Sequence, residues 1–573
     1  MTVQPPIQGF AEAARAVTAA GQRFELVTVS VRGQSYPAFK AAPPTLGQLF
    51  SAARQHQDQT FVVYESERWT FGQVLGQADA LGAALIRRYG VRHGDRVAIA
   101  MRNYPEWIVA FAAITSIGAV SVSLNAWGTE PELDFALADS GARLLIADGP
   151  RIRRTAQTRR RLGIRAVAVR SPAGPGEGVD NWADVLATAA GPQPADVRPD
   201  DDATILYTSG TTGRPKGAVS THRSIVQALF GFACRTAIDV QRRPEVAVPA
   251  GQRVMILVVP LFHVTGCVPI MLSCFITGSK LVMMHRWDPE KALELIERER
   301  VTTLLGVPAQ SWDMLDSVAV KEHDLSSLRL IGGGGAPAPP VLVRRLAEQF
   351  PAAGPAIGYG LTETNGYGTA NTGADYVEHP ASAGRPAPIL ELDIRNEQEQ
   401  SVPTGQSGEI WMRGVHVFRG YWRQPDATAS SLVNGWFRTG DIGHLDEEGF
   451  LYIEDRLKDV ILRGGENIYC AEVEAVLHEH DGIRDVAVFG LADARLGEEV
   501  AAAVVLKAGS AVSAEDLADF TAGRLAPFKV PSRWFIVAGQ LPRSAVGKVL
   551  KRELQKRFSS APDGDQAARH VRS

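Results

Sequence analysis

The chain has 573 residues, 45% of them hydrophobic and 21% charged, with a formal net charge of −3. This is the composition of a soluble globular protein too long for one core, so two to four domains are expected. A surface this close to neutral has no field to attract nucleic acid, which leaves small molecules as the expected partners. Cys234, Cys267, Cys274 and Cys470 lack C-x-x-C or zinc spacing. They read as reduced and buried, which suits a cytoplasmic protein.

The first residues, "MTVQPPIQGFAEAARAV", lack the basic start and unbroken apolar core of a signal peptide. The greasiest runs, residues 109–124 and 268–284, are interrupted by Ser, Thr, Gly or Pro. Neither reaches the roughly 18 uninterrupted apolar residues of a membrane span. A strand "ATILY" then leads into "YTSGTTGRPKGAV", residues 207–219, rich in hydroxyls and glycines. Glycines let successive amides form an anion-binding nest, the hydroxyls of Thr208, Ser209, Thr211 and Thr212 add donors, and Lys216 adds a point charge. The P-loop template fails, because Pro215 stands at its second glycine and Gly217 follows the lysine. Composition alone leaves a phosphate cradle and a plain Ser/Thr/Gly turn open.

From Asp288 onward, helix and strand patterns alternate. "DPEKALELIERER" begins with an Asp cap and a Pro at the first helical position. Then come a strand "VTTLLGV", a helix "AQSWDMLDSVAV", a strand "LRLIGGGGAP", a helix "PPVLVRRLAEQF" and a strand "AIGYG". This order implies βαβ units and a parallel sheet with ligands at its strand ends. "GGGGAP" hints at a dinucleotide fingerprint, but prolines at 337, 339 and 340 spoil the helix start. Past about residue 455 the rhythm changes. "AEVEAVLHEHDG" reads as a helix stopped by glycine, "DVAVFGL" and "EEVAAAVVL" as strands, "SAEDLADFTAGRL" as a capped helix, and "RWFIVA" as a strand. That is a small α+β unit of roughly a hundred residues. Residues 559–573 form a polar tail.

The string "YTSGTTGRPKG" resembles the signature loop of the adenylate-forming superfamily: acyl-CoA synthetases, firefly-type luciferases and peptide-synthetase adenylation domains. Further motifs of that family follow in order: "PLFHVTG" from Pro260, "GGGGAP" from Gly332, "YGLTET" from Tyr359, and "GWFRTGD" ending at Asp441. "DRLKDVILRGGENIYCAEVE" from Asp455 and "PRSAVGKVLKREL" with Lys548 complete the set, so the resemblance covers about residues 45–558. It implies an α/β fold: a large N-terminal domain (1–454) with parallel-rich sheets, a hinge (455–458) and a small, mobile α+β lid (459–558).

The resemblance also implies ATP, Mg²⁺ and CoA, with a carboxylic acid joined first to AMP and then to the CoA thiol. Thr208, Ser209, Gly210, Thr211, Thr212, Gly213 and Lys216 would hold phosphates. Glu363, with Thr208, would hold the metal, an oxygen-seeking hard cation. Tyr359, Gly360, Thr362, Gly334, Ala336 and Pro337 would line the nucleotide site. Asp441 would take the ribose diol, and Arg456 would reach ribose and phosphate. His263 would gate the acyl pocket, and Lys548 would bridge carboxylate and α-phosphate. After rotation about Lys458, Gly464 and Gly465 would let pantetheine pass close to backbone.

"FHVTG" carries no aspartate for an amino-acid ammonium, and Gly332–Gly335, Gly366 and Gly368 are expected to free space near the acyl site. A hydrophobic acid, of medium or long chain, is therefore expected. A carrier-protein acceptor, an enzyme that stops at the adenylate, and an aryl, alicyclic or steroid-side-chain acid are the alternatives. A catalytically silent nucleotide-binding protein is a further one. A peripheral membrane contact, and a monomer or a homodimer, stay open.

Overall fold

The computed structural model describes residues 9–171, 176–187, 195–208, 215–244, 251–336, 338–464, 466–493, 495–544 and 547–559. Two large sheets form the body of the N-terminal part. Among the described residues the first has eight strands; across it run Gly420–Tyr421, Lys216–Thr221, Asp202–Thr208, Val120–Ser123, Arg96–Ala100, Leu144–Asp148, Arg165–Val169 and Val179–Asn181. From Asp202–Thr208 to Val179–Asn181 every pairing is parallel. Both faces of such a sheet must be covered, and alternation along one strand shows that they are. Val97 and Ile99 belong to the main core, whereas Ala98 and Ala100 belong to a second cluster on the opposite face.

The second sheet has nine strands among the described residues. Its parallel centre contains the expected strands Thr303–Gly306, Leu330–Gly334 and Gly354–Tyr359. The predicted helices form at Pro289–Glu299, before the first of these strands, and at Pro308–Asp316 and Pro340–Gln349, between them. Asp288 caps the first of these, its carboxylate accepting from Lys291 N at 3.0 Å. The main core includes side chains of both sheets, such as Val97 and Ile256, together with the helices Pro105–Ser116 and His222–Arg242. From Ala110 to Thr115 the first of these helices is buried all round, as suits a helix enclosed by core. A five-stranded antiparallel sheet spanning residues 391–456 follows and brings Asp441 beside Arg456.

The small C-terminal unit is built on Ile483–Asp493 and Gly497–Leu506, joined in parallel by Arg533–Ile536. Its sheet is also covered twice. Val500, Ala502 and Val504 pack with residues of Cys470–Leu477 and Ala514–Ala522, and Ala501, Ala503 and Val505 pack with Leu554. One expectation needs correcting. The helix at 470 ends at Leu477, five residues before the glycine expected to stop it. A Cβ on Gly482 would lie 2.6 Å from both Ser510 and Val512, so this glycine serves a close packing contact. All four cysteines are buried and unbonded, as expected. Among the described residues no helix is long and apolar enough to cross a membrane.

Candidate active site

The strand ends deliver the polar motifs to one place. Thr208 closes its strand and Lys216 opens the antiparallel return, the two standing opposite each other in register. The Thr208 hydroxyl donates to the Lys216 carbonyl at 3.4 Å. Ser209, Gly210, Thr211, Thr212 and Gly213 lie outside the described residues, as do Pro337 and Gly465. The Lys216 ammonium sits 5.0 Å from the ring centroid of Tyr421, a cation–π distance. The Tyr421 hydroxyl in turn donates to Glu363 Oε1 at 2.8 Å.

Glu363 is buried in the short turn Thr362–Thr364, and its backbone carbonyl accepts from Phe418 N at 2.7 Å. Burial pushes its pKa up, while the Tyr421 hydroxyl and the charges of Arg456 and Lys548 pull the other way. Tyr421 thus connects the expected phosphate lysine to the expected metal carboxylate. Sequence reading missed it. Its signal was the "RGYW" string that follows the antiparallel sheet strand Gly408–Arg413.

Asp441 and Arg456 face each other across the strands Trp436–Leu445 and Leu451–Arg456. Asp441 is buried; Tyr359 donates its hydroxyl to Oδ2 at 2.6 Å, and Arg456 Nε stands 3.3 Å from Oδ1. The tyrosine expected to face adenine and the carboxylate expected to face ribose are therefore tied into one unit. Burial and the Asp441 charge raise the Tyr359 pKa, so its hydroxyl stays protonated as a donor.

Lys548 reaches this group from the small unit. Its Cε lies 3.7 Å from where a Cβ on Gly335 would stand, and a Cβ on Gly547 would be 3.1 Å from Val307 of the large domain. Burial, then the nearby Arg456, lowers the Lys548 pKa to about 8, against the opposing pull of Asp441 and Glu363. His263 is held down to about 3 by burial and by the Lys548 charge, so it is a neutral ring at physiological pH. Its Nδ1 accepts from Thr265 N at 3.3 Å.

The structure therefore brings together Lys216, Tyr359, Glu363, Asp441, Arg456 and Lys548, with His263 close enough to feel the lysine. Gly334, Ala336, Gly360 and Thr362 lie on the adjoining strand ends and turns. Gly464 does not join them: its amide donates to Leu496 O at 2.8 Å within the small unit.

The glycines expected to empty an acyl pocket have another cause. A Cβ on Gly332, Gly333, Gly334 or Gly368 would fall 2.0–2.5 Å from a backbone oxygen of a neighbouring segment. Close backbone approach requires these glycines. Gly366, at φ +73°, would meet Val264 and Pro269 at ordinary contact distance.

The chain also resembles known proteins in sequence and fold. Residues 49–422 match the family model described as AMP-binding enzyme, and residues 472–548 match the AMP-binding enzyme C-terminal domain. The chain is 35% identical over 500 residues to the long-chain-fatty-acid–CoA ligase FadD13 of Mycobacterium tuberculosis, covering 86% of this chain and 94% of that one. It is 37% identical over 528 residues to 3-[(3aS,4S,7aS)-7a-methyl-1,5-dioxo-octahydro-1H-inden-4-yl]propanoyl:CoA ligase of the same organism, covering 90% and 99%. Among solved structures it resembles ATP-bound MatB from Rhodopseudomonas palustris, with a TM-score of 0.79, 29% identity, and coverage of 90% and 99%.

Proposed function

The chain belongs to the AMP-binding enzyme family of AMP-forming acyl-CoA ligases, and from that premise we propose that it activates a hydrophobic carboxylic acid, a medium- or long-chain fatty acid, through an acyl-adenylate to its CoA thioester. The observation that carries this reading is the convergence of Lys548, Asp441, Arg456, Glu363 and Lys216 at the strand ends. A carboxylate is a poor acyl donor until its oxygen bears a good leaving group. Attack of the carboxylate on the α-phosphorus of ATP makes that bond and expels pyrophosphate. The negative charge that builds up on the phosphate must be met by preorganised cations.

Lys548 supplies one cation at the carboxylate and α-phosphate, Arg456 a second beside the ribose, and Lys216 a third at the outer phosphates. Tyr421 orients both Lys216 and Glu363. Asp441, fixed by Tyr359, accepts from the ribose hydroxyls. Glu363 and Thr208 suit Mg²⁺, which takes one or two carboxylates and completes its shell with substrate phosphate and water. Bound there, the metal would neutralise phosphate charge. His263, a neutral ring next to the buried Val264, would gate the passage between nucleotide and acyl sites. Rotation about Lys458 would then carry Gly464 and Gly465 toward the adenylate, and the CoA thiol would displace AMP.

The absence of an acid residue in "FHVTG" and the likeness to the fatty-acid ligase FadD13 support a hydrophobic acid without an α-amine. The similarity to the indenyl-propanoate ligase favours a bulky alicyclic acid as the second reading. The buried, unbonded cysteines fit a cytoplasmic enzyme. The test is a panel of straight-chain, aryl and alicyclic acids assayed for CoA-dependent AMP release, with a phosphopantetheinylated carrier protein as the competing acceptor. Fatty acids with free CoA should give the highest kcat/KM. ADP and orthophosphate as stoichiometric products would overturn the reaction, and selective turnover with the carrier would overturn the acceptor.

A further inference from the structure

The loop that carries Lys548 is closed by its own hydrogen bonds. Ser544 N donates to Lys548 O at 2.7 Å, Gly547 N to Ser544 O at 2.9 Å, and Lys548 N to the Ser544 hydroxyl at 3.2 Å. Arg543 and Val549 pair across its base, and Gly547 has a φ of +82°. These bonds, all within the hairpin, do not themselves set its direction relative to the sheet of the small unit.

One side chain supplies that direction. Arg543 Nη1 donates to the carbonyl of Gly547, directly before the lysine, at 2.6 Å. Its Nη2 donates to Asp485 Oδ2, also at 2.6 Å. Asp485 is itself fixed where the strand Ile483–Asp493 is irregular, its Oδ1 accepting from Val486 N at 3.1 Å. The planar guanidinium thus spans from the sheet of the small unit to the peptide that aims Lys548, with one nitrogen for each task. A lysine cannot reproduce that two-nitrogen geometry.

We infer that Arg543, locked by Asp485, is a positioning residue for Lys548 in the adenylation step. This rests on the reading that Lys548 acts in adenylation. An error of about 1 Å in a positioned group can cost about 10²-fold in rate. Arg543→Ala should therefore slow acyl-adenylate formation by roughly 10- to 100-fold. Thioester formation from supplied acyl-adenylate should stay within about twofold of wild type, because that step no longer uses the lysine loop. Arg543→Lys and Asp485→Asn should fall between, as each keeps charge or shape but loses one arm of the link.

The measurement is single-turnover kinetics of both half-reactions for these variants, for Lys548→Ala and for the double variant Arg543→Ala/Lys548→Ala. If Arg543 acts through Lys548, the double variant is no slower in adenylation than Lys548→Ala alone. A double variant slowed by the product of the two single losses would show that Arg543 acts independently, and would overturn the proposal. So would a loss of both half-reactions in Arg543→Lys and Asp485→Asn, the signature of a merely structural link. If Arg543→Ala does not fold, the two conservative variants carry the same test, each in the Lys548→Ala background. Equal loss of both half-reactions in Lys548→Ala would instead remove the role of the lysine itself, a separate result.

Discussion

At the scale of single residues, Glu363 depends closely on its partner Tyr421. Glu363 is buried, and burial pushes its pKa up, so the hydroxyl of Tyr421 is what favours the ionised form most. Tyr421→Phe deletes that donor, leaves a desolvated carboxylate and loosens the ring under Lys216. Adenylation should fall about 10-fold and need more Mg²⁺, whereas Glu363→Gln should cost about 10²-fold, as expected for a lost electrostatic contact. Initial rates across a Mg²⁺ titration check both, and an unchanged Mg²⁺ dependence in Glu363→Gln would contradict the assignment.

Lys548 gives a pH signature. Its pKa is lowered to about 8, so the ammonium is lost as pH rises through 8. If the charged form does the work, kcat/KM for adenylation declines above about pH 8, and Lys548→Arg, whose guanidinium stays charged, removes that decline. A flat wild-type profile to pH 10 would count against it.

At the scale of elements, the proposed hinge at 455–458 is the decisive one. Leu457 N donates to Gly440 O of the large domain at 2.9 Å, and the Asp455 carboxylate accepts from Cys470 N of the small unit. Lys458 follows Leu457 directly, on the way to Cys470. Lys458→Pro fixes φ at the pivot and should leave adenylation nearly intact, while CoA transfer slows 10-fold or more and adenylate accumulates. Rapid-quench detection of the adenylate checks this; equal effects on both steps would sink it.

The elements also show what a sequence can and cannot disclose. Strands such as Leu330–Gly334 and capped helices such as Pro289–Glu299 are legible because their causes are local: apolar runs, an Asp cap, a Pro at the first turn. Tyr421 was not legible, because its meaning comes from an edge strand that brings it to Glu363, 58 residues away. The glycines at 332–334 were misread for the same reason. Their neighbours are backbone oxygens of adjacent segments, which no local pattern reveals. Gly482, expected to stop a helix, likewise answers to Ser510 and Val512.

At the scale of the whole molecule, the core holds histidines as neutral rings. His416 is fully buried, lies edge-on to Tyr367 with ring centroids 4.9 Å apart, and has a pKa lowered to about 3 by burial. His222 is lowered to about 4, also mainly by burial. Below about pH 6.5 the unfolded chain binds protons that these folded rings refuse, so stability falls as pH falls. The slope is about 1.4 kcal/mol per pH unit for each such ring. His416→Phe should flatten that acid limb between about pH 6 and 4 in urea-unfolding midpoints; an unchanged slope would show that His416 does not contribute.

For the molecule as a whole, the proposed function requires that one small domain serve two half-reactions and present Lys548 only for the first. In the structure the lysine already stands over Gly335 beside Arg456, Asp441 and Glu363, while Gly464 stays bound within the small unit. The most direct measurement is single-turnover kinetics of acyl-adenylate formation, and separately of thioester formation from supplied acyl-adenylate, in Lys548→Ala. Adenylate formation should slow by roughly 10²-fold or more, as for a lost charge-stabilising contact, while thioester formation proceeds at the wild-type rate. Equal loss of both steps would contradict the account.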